Sequence, residues 1–298
     1  MSNAEQLTRR GFIQIAGTGA AALGIGGLTA AATEAPIQGF EKAATDKDSA
    51  KEWKPVADRK VRVGIAGFGL CSFGAEFGFQ NHPNVTVAAV TDLIPARCAR
   101  LARACRCEKT YPSCEEMIKD DSIEAVFIAT DAPSHARLAV AALKAGKHVA
   151  SAVPAVFGSL EEADLLFKAV KTTGRKYMMF ETSYFHEALY SMRQMFKAGD
   201  LGKVIYSEGE YWHYMPVSLP SYDPKNNDVN LTGWREGLPP QWYPTHSNAY
   251  YVGVTGGSFT EVSCMGVPSI IKHLTPDNNR YKNPFGTEIA LFRTSEGG

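Results

Sequence analysis

Two groups of residues in this 298-residue chain have the types and spacing to do chemistry. The first is the bend Gly67-Phe68-Gly69-Leu70-Cys71. It follows a short β-rich run, Val61-Arg62-Val63-Gly64-Ile65-Ala66. Glycine lets a backbone turn sharply and approach a pyrophosphate, and a helix opening near Cys71-Ser72 would aim free N–H groups at the phosphates. The third glycine of the G-x-G-x-x-G pattern is out of register, with Ser72 in its slot and Gly74 two residues later. Context strengthens the motif. A second β-rich run over 85–91 ends at Asp92, about 25 residues after Gly67, where a carboxylate accepts hydrogen bonds from the ribose hydroxyls of a dinucleotide. An acid there favours NAD over NADP by repelling a 2′-phosphate, a preference softened by the nearby Arg97 and Arg100.

The second group is Tyr243-Pro244-Thr245-His246. An imidazole with an unperturbed pKa near 6.5 can give or take a proton at neutral pH. Tyr243 can share that work or position a hydroxyl. The aromatic stretch Glu208-Gly209-Glu210-Tyr211-Trp212-His213-Tyr214 is a candidate lining for a sugar, with His213 serving equally as a plain strand residue. Period-two spacing puts Glu208 and Glu210 on one face of a strand, where they serve equally as a solvated face. Six cysteines lack zinc spacing, so no metal site is expected and small buried hydrophobes are the simpler reading.

The elements that must position these residues alternate. Helices are expected over 71–81, 95–105, from Pro133 to a cap at Gly146, and from Ser159 to Gly174. Strands are expected over 123–130, 147–152 and 176–180. Ser113-x-x-Glu116 and Ser159-x-x-Glu162 are capping boxes. This order means an α/β fold, a Rossmann doubly wound parallel sheet over 61–181. Residues 182–298 form a second unit, and 287–293 read as a strand near a C-terminus that looks truncated.

The N-terminus is an address. Thr8-Arg9-Arg10-Gly11-Phe12-Ile13-Gln14 has the twin-arginine pattern, followed by a weakly apolar Gly/Ala run and small residues at 30–32. Residues 1–32 are thus expected to be an export signal to the periplasm or beyond, with 33–60 a polar linker and no stable membrane span after removal. Lys plus Arg equals Asp plus Glu, at 31 each, and no basic stripe is present, which argues against a nucleic-acid binder.

Together with the glycine bend, Thr130-Asp131-Ala132-Pro133-Ser134-His135, Ala145-Gly146-Lys147-His148-Val149 and Leu201-Gly202-Lys203-Val204 resemble the Gfo/Idh/MocA oxidoreductases over 61–292. The resemblance implies an NAD(P)-binding domain and then an α+β domain with an open, mostly antiparallel sheet. It places Thr130, His135 and Pro154 at the cofactor, and Trp234 and Arg235 at a carbohydrate substrate. The family usually has Glu-Lys-Pro after A-G-K-H-V, with a proton-transferring lysine; here the stretch is Ala152-Val153-Pro154, so His246 and Tyr243 are the candidates left. Val-Pro and Tyr-Pro-Thr-His are similar to the exported NAD-dependent α-N-acetylgalactosaminidase-like branch. Three activities stay open: net sugar or polyol oxidation, redox-neutral glycoside cleavage through oxidation, elimination, addition and reduction, and silent NAD or sugar binding. A homo-oligomer is compatible with each.

Overall fold

A computed structural model of the chain describes residues 55, 57–69, 71–213 and 234–298, and the backbone of 221–223 and 228–230. The expected export signal, nearly all of the expected linker, Leu70 and Tyr214 lie outside the described residues.

Six parallel strands build the main sheet in the order β3-β2-β1-β4-β5-β6. They are β1 (Val61–Ala66), β2 (Val85–Thr91), β3 (Thr110–Tyr111), β4 (Ala125–Ile128), β5 (His148–Ala152) and β6 (Tyr177–Phe180). Strand order reverses beside β1, which places a crevice outside the carboxyl ends of β1 and β4. Both faces are covered, and the sequence shows it. Along β4, Val126 and Ile128 enter one buried cluster with Leu138, Leu143 and Met117. Phe127 enters the opposite cluster with Ile65, Val90 and Leu101.

The intervening helices are α1 (Phe73–Glu76), α2 (Pro95–Ala104), α3 (Cys114–Met117), α4 (His135–Lys144) and α5 (Leu160–Thr173). Both serines of the expected capping boxes cap their helices: Ser113 Oγ accepts from the Glu116 N–H at 3.2 Å and Ser159 Oγ from the Glu162 N–H at 3.1 Å. Gly174 closes α5 at φ 63°, a left-handed cap that favours glycine.

One expected helix is largely missing. Instead of running over 71–81, α1 has four residues, followed by a separate 3₁₀ turn, Phe79–Asn81. Gly78 stops it at φ 70°. Phe77 and Phe79 are drawn onto Phe127, with ring centroids 5.3 and 4.9 Å away. Burying two aromatic rings outweighs a turn or two of helix that would keep them on its rim.

The remainder is α+β. Helix α6 (Glu187–Ala198) packs on α7 (Thr245–Thr255), and two antiparallel pairs form, β7 (Ser221–Asp223) with β8 (Asp228–Asn230) and β9 (Phe259–Pro268) with β10 (Phe285–Thr294). The strand expected over 287–293 is the body of β10. Residues 204–213 run outside any strand ladder, so the strand-face placement of Glu208, Glu210 and His213 is corrected. No strand among the described residues pairs with them.

Candidate functional site

The carboxyl ends of the strands bring the sequence-picked residues together. Gly67 leaves β1 at φ 104°, and a Cβ there would run into the Ala129 carbonyl at the end of β4. Only glycine fits. Gly74 does the close-packing work of the out-of-register third glycine: a Cβ on it would meet the Gly67 carbonyl and the Leu101 and Ile65 side chains. A Cβ built on Gly69 meets nothing within 4 Å, so this side of the bend is open.

Asp92, at the end of β2, holds the bend as well as facing it. Its Oδ2 accepts from the Phe68 N–H at 2.7 Å and its Oδ1 from the Ile94 N–H at 2.8 Å. The Gly67 N–H donates to Thr91 O at 2.8 Å. Two amides expected to face a pyrophosphate are therefore spent within the protein. Among the described residues, the N–H groups of Gly69 and Cys71 remain without an acceptor. Each Asp92 oxygen keeps a lone pair for a ribose hydroxyl. An open bend, two spare amides and a fixed carboxylate fit a dinucleotide, although four-residue α1 adds little of the expected helix dipole.

His135 differs from its expected place. It is 1% exposed, below the loops, with Nδ1 2.8 Å from Pro154 O and Nε2 3.1 Å from Thr130 O. Burial pulls its pKa down, partly opposed by the two carbonyls. The ring lies between the loop after β4 and the loop after β5 and is buried beneath them. Val153 is buried. His148 lies in β5, where its Nδ1 accepts from the Lys176 N–H, a structural role.

The second group converges on Glu181, a residue that sequence spacing did not single out. Glu181 follows β6, and its Oε1 contacts Nδ1 of His246 in the first turn of α7. Both side chains are buried. Glu181 Oε2 accepts from the Tyr184 N–H at 2.9 Å, which fixes the carboxylate. Among the described residues, His246 Nε2 has no hydrogen-bond partner. Tyr211 and Tyr243 pack on the imidazole at centroid distances of 4.3 and 5.2 Å. Burial pushes the Tyr243 phenol up to about 12 against the opposing pull of Arg235, so it is a neutral donor. Burial also raises Tyr211. The Arg235 guanidinium stacks over Trp234 at 4.5 Å and Tyr243 at 5.4 Å, and its Nη1 lies 3.3 Å from His213 Nε2.

A cavity of about 1020 Å³ is lined by Tyr211, His213, Trp234, Arg235 and Tyr243 and extends over β9 and β10. The glycine bend and His246 do not line it. Among the described residues no group of His, Cys, Asp or Glu is placed to hold a metal ion, and no helix is long and apolar enough to cross a membrane.

Residues 61–181 match the model of the oxidoreductase family with an NAD-binding Rossmann fold, GFO_IDH_MocA. A Bacteroides fragilis protein named glycosyl hydrolase family 109 protein 1 is 30% identical over 54% of this chain and 37% of its own length. A glycosyl hydrolase family 109 protein of Shewanella amazonensis is 27% identical over 89% of this chain and 59% of its own. The chain thus spans between a third and three-fifths of these relatives. The fold matches a probable dehydrogenase from Thermotoga maritima at TM-score 0.60 and 18% identity, over 80% of this chain and 66% of that one. It also matches scyllo-inositol dehydrogenase from Lactobacillus casei, solved with bound NAD(H) and scyllo-inositol, at TM-score 0.57 and 18% identity, over 80% and 67% of the two chains.

Proposed function

Residues 61–181 belong to the Gfo/Idh/MocA family of NAD-binding oxidoreductases, and from that premise we propose that the protein oxidises or reduces a sugar or sugar-like polyol with NAD in preference to NADP. The observation that carries this reading is the buried Glu181–His246 pair, whose carboxylate follows β6 at the same carboxyl side of the parallel sheet from which the glycine bend leaves β1. The bound nicotinamide would supply two-electron chemistry. Gly69 and Cys71 would hold the pyrophosphate and Asp92 the adenosine ribose. His246 Nε2 would take the hydroxyl proton from the carbon being oxidised. Glu181 at Nδ1 sets the tautomer and balances the imidazolium that forms. Tyr243, kept neutral by burial, would donate a hydrogen bond to the same oxygen. Trp234 and Arg235 would orient the ring. Val153 makes this division of labour necessary, since no lysine stands in its place.

The naming of the 30% identical relative as a glycosyl hydrolase favours a second reading, redox-neutral glycoside cleavage. There His246 would serve as the base that removes the proton next to a transient ketone. One experiment separates the two. The purified protein with its cofactor is given sugars, inositols and aryl glycosides in D₂O. Stoichiometric NADH supports net oxidation. Aglycone release with deuterium uptake and no net NADH supports cleavage. Binding without turnover contradicts both.

The twin-arginine pattern at Arg9-Arg10 supports export in the folded state, cofactor included. Accumulation of the uncleaved precursor in cells lacking the twin-arginine translocase tests it, and normal processing there would contradict it.

A further inference from the structure

The loop that follows β5 reaches across to the substrate elements through one ring. Its start is fixed, because Pro154 O is held by His135 and Ala155 and Val156 pack against the core. Phe157 then meets Trp234 and Trp242 edge-on, each at 5.4 Å between centroids, and Tyr281 at 6.0 Å. Gly158, at φ 64°, lets Trp242 lie directly on the backbone, since a Cβ would enter the indole. The far wall is equally well fixed. The Tyr281 hydroxyl donates to Trp234 O at 2.6 Å. Asn279 Oδ1 accepts from the Tyr281 N–H at 3.0 Å and from the Asn283 N–H at 3.2 Å. Asn283 Nδ2 donates to Phe285 O at 2.7 Å. Trp234 in turn carries the Arg235 guanidinium on its face.

We propose that Phe157 and Tyr281 are positioning residues that set where Trp234 and Arg235 stand relative to the cofactor-side loop. This rests on reading the chain as a nicotinamide-dependent sugar or polyol enzyme. The physical ground is that packed aromatic contacts hold distances, and transfer between two bound molecules is steep in distance: a misplacement of about 1 Å costs up to about 100-fold in rate. No other ring contact among the described residues joins the β5 loop to the Trp234 segment.

The test measures NADH affinity, kcat and KM for Phe157→Ala and Tyr281→Phe, alone and in an Arg235→Gln background, with the most rapidly converted compound of the panel above. The expected result is an NADH dissociation constant within about twofold of the parent and kcat/KM lowered about tenfold or more. In the Arg235→Gln background the further loss should be small, because both changes act through one segment. Energy transfer from tryptophan to bound NADH is a second readout that needs no substrate, and it should change in Phe157→Ala. Tyr281→Phe removes only a hydroxyl, so it decides the matter if Phe157→Ala fails to fold. Folded variants with parental kcat/KM and parental energy transfer would overturn the proposal. So would an equal loss in both backgrounds, which marks a general structural effect. Failure of the parent to bind NADH would overturn the functional reading beneath it instead.

Discussion

Glu181 and His246, 65 residues apart in sequence, meet in a buried contact that joins the end of β6 to the first turn of α7. A carboxylate on Nδ1 leaves Nε2 as the reactive nitrogen, the same division of roles by which an aspartate orients histidine in hydrolytic triads. Glu181→Gln keeps the shape and removes the charge. The expected loss in kcat is on the order of 100-fold or more, with NAD affinity little changed. Steady-state kinetics beside NAD titration checks this; an unchanged kcat would assign the pair to structure alone.

The two glycines of the bend should separate folding from binding. Gly67→Ala combines positive φ with a clash against Ala129 O and should cost at least about 2 kcal/mol in denaturant unfolding. Gly69→Ala meets open space, so it should fold normally and lose NAD affinity about tenfold through collision with the pyrophosphate. Parental NAD affinity in Gly69→Ala would place the cofactor elsewhere.

His135 makes stability pH-dependent. Burial lowers its folded-state pKa, so below about 6.5 the unfolded chain binds a proton that the native site refuses. Its contribution is complete above that pH and is lost as pH falls toward the depressed folded value. His148, also lowered, acts in the same direction. Melting temperatures between pH 8 and 5 should therefore fall more for the parent than for His135→Gln, each measured relative to its own value at pH 8. Parallel curves would refute the assignment.

Arg235 should act on substrate more than on fold. It is half-buried and rests on two aromatic faces. Arg235→Gln is expected to raise KM about tenfold, the effect of losing roughly one charge-assisted hydrogen bond, with little change in NAD binding. A KM within twofold of the parent would remove Arg235 from the site.

Local signals were readable in the sequence because each works within a few residues. Ser113 and Ser159 cap helices by reaching three positions ahead, and Gly174 closes one through its own φ. The order of strands and helices then determines a doubly wound sheet, which collects Gly67, Asp92, Thr130, Pro154 and Glu181 at one edge. What sequence spacing missed depends on distant partners. Glu181 looks like any residue after a strand until α7 brings His246 onto it. The long helix expected after the glycine bend gives way because Phe77 and Phe79 find Phe127, a residue some fifty positions later. The resemblance puts His135 at the cofactor, yet the ring is buried with each nitrogen beside a carbonyl of a separate loop. The strand character of 204–213 needed a partner strand, and the described residues offer none.

The central claim is that the bend at Gly67 and Gly69, held by Asp92, binds a nicotinamide dinucleotide. Calorimetric titration of cofactor-stripped, folded protein with NAD and NADP tests it most directly. The account predicts saturable 1:1 binding of NAD, weaker binding of NADP, and a reversal or loss of that preference in Asp92→Ala. No measurable heat with either nucleotide, from protein shown to be folded by circular dichroism, would contradict it.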